Sequence, residues 1–322
     1  YSLVSPQFSN WFGFTEPEVD QMLEDFQQTH RRQEVQDWYN GYLFGNQVIF
    51  NPWSVLNFIS RQPVIPIPYW VNTSSNDLIR ELVMEGPSYL KESVERLLSG
   101  ESVTVALKEN ISLRELKHSD QALWSLLTFS GYLKPLRFFE QDDVIYYELA
   151  IPNKEVHAFF RETVQSWLNQ QIGSHPLQQL LKALLQGDLK TFGHYLQELV
   201  LGVLSYHDMA GDAPERVYHA FVLGLLVSLG SRYEVRSNRE SGFGRYDLLL
   251  LPQDKTQSGF VFEFKKIDEE ENETCETALQ AALQQIQDKA YATELRQSGV
   301  EKILGIAVVV QGKKVRLKHL EL

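Results

Sequence analysis

The chain has 322 residues, 43% hydrophobic and 12% aromatic, with a formal net charge of −12 at pH 7 and a single cysteine, Cys275. That length and apolar content can fill sizeable cores and predict two or three domains. The sequence shows no run of about 18 apolar residues, no signal-peptide pattern and no Cys/His zinc spacing, and one cysteine excludes an intrachain disulfide; the expected setting is a reducing cytoplasm, with no membrane partner.

In chain order, "FGFTEPEV" predicts a helix start, with Thr15 as N-cap and Glu18 as its capping-box partner. "NQVIFN" reads as a short strand, and Pro52 opens the next helix. "RQPVIPIPYW" is too rich in proline for regular structure. Residues 76–150 read as mainly helical before "GYLKPLRF" and "DVIYYELA", two strands around a polar "EQDD". Helix, helix and hairpin together outline a winged-helix-like unit, which could bind DNA or pack against other domains. From 153 to 210 the pattern is a run of amphipathic helices, read as a spacer. The expected division is 1–75, 76–152, 153–212 and 213–322.

From Ala213 the pattern becomes αβββαββ over about 110 residues, a usual domain size. The helix "PERVYHAFVLGLLVSLG" comes first, then "RYEVRSNRE" and a glycine bend "SGFG". Next is the hairpin "GRYDLLLLPQDKTQSGFVFEFKK". An acidic loop follows, then a helix with Leu279, Leu283, Ile286 and Ala290 on one stripe, and finally the strands "ILGIAVVV" and "KVRLKHL". Charge is unevenly spread: residues 213–322 hold 15 Lys+Arg against 16 Asp+Glu, and residues 1–212 hold 15 against 26. The acidic total argues against a phosphate-bearing partner, but this last third is nearly neutral. Its final strand alternates Lys314, Arg316 and Lys318 onto one face, which could contact phosphates or simply guard a solvated edge.

The hairpin carries the chemistry. With its turn centred near Lys255, Asp247 falls opposite Glu263, and Glu263 shares a face with Lys265 while Phe262 and Phe264 take the other. Two carboxylates side by side on apolar strands are costly without a compensating cation, and hard oxygen donors favour Mg²⁺. Acid-x-Lys also occurs at Glu115-Leu-Lys117 and Asp188-Leu-Lys190, but there in helical patterns with no cross-strand Asp.

"GRYDLLLL", "FVFEFKK" and "ALQQIQDKAY" together resemble the PD-(D/E)xK nuclease superfamily. "PERVYH" and "RESGFGRYD" are similar to the nuclease domain at the C-terminus of bacterial AAA-ATPase-like proteins, and "FGFTEPEV" and "WYNGYLFG…IFNPWSVLNFI" to the closing segment of their ATPase-like domain. The resemblance implies an α/β chain with a restriction-endonuclease-like C-terminal domain, preceded by helical and winged-helix-like regions and, in the full-length protein, by an upstream ATPase-like region. It implies a metal-dependent nuclease acting on nucleic acid, foremost DNA. Asp247 and Glu263 would hold Mg²⁺ or Mn²⁺ with the Phe264 carbonyl, and Lys265 would serve the attacking water. Glu215 would be an outer ligand, or else a helix-capping acid; Gln285 and Tyr291 would line the site. His219, one turn beyond Glu215, could join it or be a packed helix residue, and Arg245 could meet a phosphate or be a surface residue. A catalytically silent module for binding, regulation or oligomerisation is the alternative. Two departures stand out: the phosphate loop GxxxxGK[ST] is missing, so no nucleotide site is expected in this fragment, and Asn238 replaces an acid that the family tends to carry.

Overall fold

The computed structural model describes residues 11–322 apart from 46, 74–75, 85–87, 109–110, 113–114, 117–118, 205–220, 226, 231, 238–239, 242–243, 246, 268–273 and 312. The chain forms two compact units, Tyr1–Thr163 and Val164–Leu322.

In the first unit, α1 (Glu16–Asp25) starts where Glu18 Oε2 accepts hydrogen bonds from both the Thr15 amide and its hydroxyl, each at 2.8 Å. With α2 (Arg32–Tyr39), the hairpin β1–β2 (Tyr42–Phe44 and Gln47–Ile49) and α3 (Pro52–Arg61), it encloses a core that includes Val19, Leu23, Val35, Tyr39 and Phe58. The proline-rich crossing has no regular structure until Trp70. It is tied down by the buried Glu155, which accepts from the Tyr69 and Trp70 amides, both at 2.6 Å, and from the Ser54 hydroxyl at 2.8 Å. Two helices, α4 (Asp77–Met84) and α5 (Ser88–Leu98), precede β3 (Val103–Ala106) and α6 (Asp120–Phe129). The strands β4 (Lys134–Gln141) and β5 (Val144–Ala150) form the expected hairpin, with Asp142 and Asp143 both at positive φ as a two-residue turn demands. β3 joins them in the order β3-β5-β4.

The helix α7 (Lys154–Ile172) is followed in the second unit by α8 (Ser174–Leu185) and α9 (Leu189–Leu204). Residues 221–225 and 227–229 are also helical. Then come β6 (Tyr233–Ser237), the two-residue pair β7 (Glu240–Ser241) and β8 (Gly244–Arg245), β9 (Leu248–Pro252), β10 (Gly259–Lys266), α10 (Cys275–Asp288), α11 (Thr293–Gln297), β11 (Ile303–Gln311) and β12 (Lys314–Glu321). Five strands make one sheet in the order β12-β11-β10-β9-β6. Only its β10–β11 pair is parallel, joined through α10 and α11.

Both faces of this sheet are covered, which is why β9 reads as an uninterrupted apolar run instead of an alternating one. Leu249, Val261, Ala307 and Val309 meet Leu279, Ala282 and Ile286 of α10 on one face. On the other, the Phe262 ring packs against Phe192 of α9 and against Phe221. Gly305 lets α10 come close, since a Cβ there would lie 3.1 Å from Ile286. The apolar stripe of α10 stops earlier than the sequence predicts: the helix ends at Asp288, and Ala290 takes φ 51°, outside the helix.

Candidate active site

The β9–β10 register pairs Phe262 with Leu248 and Phe260 with Leu250, and its continuation sets Asp247 opposite Glu263. Alternation along each strand puts Asp247 with Leu249, and Glu263 and Lys265 with Val261, on the face covered by α10. Apolar packing on both sides of the sheet thus presses two acids and a lysine against one helix.

The contacts form a closed cluster. Asp247 Oδ2 accepts from the Phe264 amide at 2.7 Å. Lys265 Nζ lies 3.1 Å from Glu263 Oε1 and donates to Gln285 Oε1 at 2.8 Å. Gln285 Nε2 in turn donates to Glu263 Oε1 at 2.5 Å and to Tyr291 Oη at 3.1 Å. Gln285 reaches the cluster because it lies on the polar margin of the face that buries Leu279, Leu283 and Ile286. Tyr291 reaches it because the chain turns sharply at Ala290.

Glu263 is only 2% exposed, and its Oε2 has no hydrogen-bond partner among the described residues. Burial first, then the neighbouring Asp247 charge, push its carboxyl up to about 7, against the pull of Lys265 and Gln285. Asp247 is also raised, by burial, while the Phe264 amide and Lys265 act in the opposite direction. Burial likewise raises Tyr291. Among the described residues the cluster brings one ammonium to two carboxylates.

A hard divalent cation fits this donor set. One buried carboxylate oxygen is unpartnered and a second carboxylate stands opposite, and Mg²⁺ commonly takes one or two protein carboxylates, leaving its other positions to water and substrate. Among the described residues no group of three or more His, Cys, Asp or Glu gathers anywhere into a metal-binding set, and this site itself brings together two carboxylates.

Of the other residues singled out in the sequence, Glu215 and His219 lie outside the described residues, as does Asn238. Arg245 is described in its backbone, within β8. On β12, Lys318 pairs with Ala307 and Arg316 with Val309, while on β10 Glu263 pairs with Ala307 and Lys265 with Val309. Lys318 therefore continues the row of Glu263, and Arg316 the row of Lys265, two strands away on the same face. Lys318 is already in an ion pair with Glu276 of α10, a contact that sequence spacing gave no means to see. Lys314 sits further along β12, paired with Gln311.

Residues 213–320 match the family model of the PD-(D/E)XK nuclease superfamily. Over 304 residues, 92% of this chain, the sequence is 25% identical to an uncharacterized protein in the vnfD 5′ region of Azotobacter chroococcum mcd 1. The chain spans about half, 54%, of that relative's length. No solved structure matches it.

Proposed function

We propose that this chain, which carries a PD-(D/E)XK nuclease superfamily domain at residues 213–320, is a divalent-metal-dependent nuclease that hydrolyses phosphodiester bonds, with DNA the foremost substrate. The observation that carries the reading is the buried, unpartnered Glu263 Oε2 beside Asp247 and Lys265. Asp247, Glu263 and the Phe264 carbonyl would hold Mg²⁺ or Mn²⁺, with Glu215 as an outer ligand. When bound, such a cation supplies stabilisation of the charge that develops on the phosphate.

The remaining steps belong to the chain. Lys265 Nζ, steered by Glu263 and Gln285, orients the attacking water and by its positive charge favours the loss of the water's proton to solvent. The water oxygen bonds to phosphorus as the ester P–O bond breaks, and the leaving oxygen collects a proton. Gln285 fixes the lysine by accepting from it while donating to Glu263, and Tyr291 holds Gln285 from behind. Arg316 and Lys318, on the same sheet face, would meet flanking phosphates, and Arg245 and Lys314 would extend that contact.

The rest of the chain is read more coarsely. A winged-helix-like unit over 76–152 is supported by the strand order β3-β5-β4 and the tight β4–β5 hairpin; the acids Glu140, Asp142 and Asp143 at its tip argue for packing against protein rather than phosphate. Residues 1–75 are proposed as the tail of an AAA-ATPase-like domain, and 153–212 as a helical spacer. No helix among the described residues is long and apolar enough to cross a membrane; with the lone Cys275, this supports placement in the cytoplasm.

The deciding experiment is a cleavage assay on single- and double-stranded DNA and RNA with Mg²⁺ or Mn²⁺. Wild type should cut and Asp247→Asn should not. If wild type cuts nothing and binds no divalent ion, the domain is instead a silent binding module.

A further inference from the structure

A cleft of about 690 Å³ opens in the second unit where α7, α8, the helical residues 227–229 and the turn before β6 come together. It is remote from Asp247. Arg232, on its rim, accepts from the Gln253 amide through its carbonyl, and its neighbour Tyr233 pairs with Pro252. The five residues of β9 therefore separate the two places, about 17 Å at strand rise.

The lining is unusual for so acidic a chain. Lys182 and Arg232 face the cleft, both exposed, and no Asp or Glu lines it among the described residues. Among the described residues neither cation is held in an ion pair. Gln165, Asn169, Gln178 and Gln186 add carboxamides; Gln165 Nε2 spends one donor on Asn169 Oδ1 at 3.3 Å, which leaves most of their donors and acceptors for a ligand. Leu177, Leu181 and Leu185, one turn apart on α8, form an apolar floor.

Unpaired cations suit phosphates, carboxamides match the donor and acceptor edges of bases, and an apolar floor suits base faces. We infer that this cleft binds a segment of single-stranded nucleic acid. A duplex would keep its base faces stacked away from the leucine floor, and the volume is that of a small-ligand site rather than a duplex groove. An acid-free patch is also how a chain of net charge −12 can hold phosphates at all. The sequence has no phosphate loop GxxxxGK[ST], so the inference concerns the phosphates and bases of a strand, not a triphosphate. It does not rest on the hydrolytic reading.

The test uses the Asp247→Asn chain, which leaves the probe uncut, and a 5′-fluorescein-labelled deoxyadenylate hexamer read by anisotropy at low salt. Replacing Lys182 and Arg232 together by Gln should weaken binding about ten- to a hundredfold, the loss expected for charged hydrogen bonds to phosphate, with the same loss in an Arg316→Gln background. Arg232→Lys should retain most of the affinity, and the melting temperature should be unchanged because both side chains are exposed. AMP, titrated by calorimetry, tests the other source of the same chemistry: if AMP binds and the hexamer does not, the ligand is a free nucleotide and the strand assignment is overturned. Hexamer binding that ignores the Lys182 and Arg232 substitutions overturns the site itself. Absence of cleavage by wild type would leave these binding results standing.

Discussion

Lys265 Nζ lies 3.1 Å from one oxygen of Glu263, while the other oxygen of that carboxylate, buried, has no hydrogen-bond partner among the described residues. Among the described residues one oxygen of Glu263 is thus met by a cation, and the other, next to Asp247, is where the proposed metal ion would bind. A side chain that merely filled space on an apolar strand would be expected to bond both oxygens or to carry none.

Asp247→Asn keeps the size and much of the hydrogen-bonding shape of the side chain but removes a charge that a hard cation needs. Calorimetric Mg²⁺ or Mn²⁺ affinity and cleavage should fall together, while the melting temperature holds or rises, because a buried charge has gone. Undiminished cleavage by this variant would sink the proposed role.

The raised Glu263 gives a pH dependence of fixed sign. Burial pushes the folded carboxyl up to about 7, against an ordinary value of 4.5. Between those values the folded state holds a proton that the unfolded chain has released, so without divalent metal stability should fall as pH rises through that window, by roughly 3 kcal/mol for this group. Asp247, raised in the same direction, adds to the slope. Thermal melts in EDTA should show the decline, Glu263→Gln should flatten it, and added Mg²⁺ should stabilise wild type more at about pH 8 than at about pH 5. A wild-type slope identical to that of Glu263→Gln would rule out the burial account.

How much of this was legible in the sequence depends on range. The Asp247–Glu263 opposition was readable because a period of two and a symmetric turn leave essentially one register, the one in which Phe262 pairs with Leu248. The end of α10 was not: Ala290 sits at φ 51° with no glycine or proline to announce it, and that bend is what brings Tyr291 to Gln285. The four residues of β3 pair with β5, so that Val103 meets Leu149; so short a strand carries no local sign of a distant partner. The Lys318–Glu276 pair was hidden for the same reason, as its members are 42 residues apart.

Gln285 is the group that ties the cluster together, so its loss should act through its neighbours. Gln285→Ala frees Lys265 Nζ and Glu263 Oε1 from their shared partner, and turnover should drop about tenfold or more, as expected when a charge-assisted hydrogen bond is removed from an orienting group. KM should change little, because Gln285 bonds protein groups. Tyr291→Phe removes only the hydroxyl behind Gln285 and should cost less. If Tyr291→Phe proved the more damaging of the two, the chain of support would have been drawn in the wrong order.

Arg316 occupies the row of Lys265 two strands away, whereas Lys318 is engaged with Glu276. Arg316→Gln should therefore weaken DNA binding uniformly across sequences and lower the slope of log affinity against log salt by about 1, and Lys318→Gln should do less. Binding measured by anisotropy from low to physiological salt gives both slopes; an Arg316→Gln slope equal to wild type would remove it from the phosphate path.

Lys265→Ala separates catalysis from metal holding. The ammonium neutralises Glu263 Oε1 but is no ligand for a cation, so its removal leaves the carboxylate more negative and the metal site intact or stronger. What disappears is the group that orients the water and whose charge favours the loss of its proton. Mg²⁺ or Mn²⁺ should still bind by calorimetry while turnover falls by roughly 10²–10⁴-fold, the range for a lost proton-transfer and positioning group. Lys265→Arg keeps the charge but not the shape, since a planar guanidinium cannot repeat the position of Nζ between Glu263 and Gln285; it should restore the wild-type balance of charge without restoring the rate. Should Lys265→Ala lose metal and activity in parallel, as Asp247→Asn does, the lysine would be holding the site together, and the water would have to be served by another group.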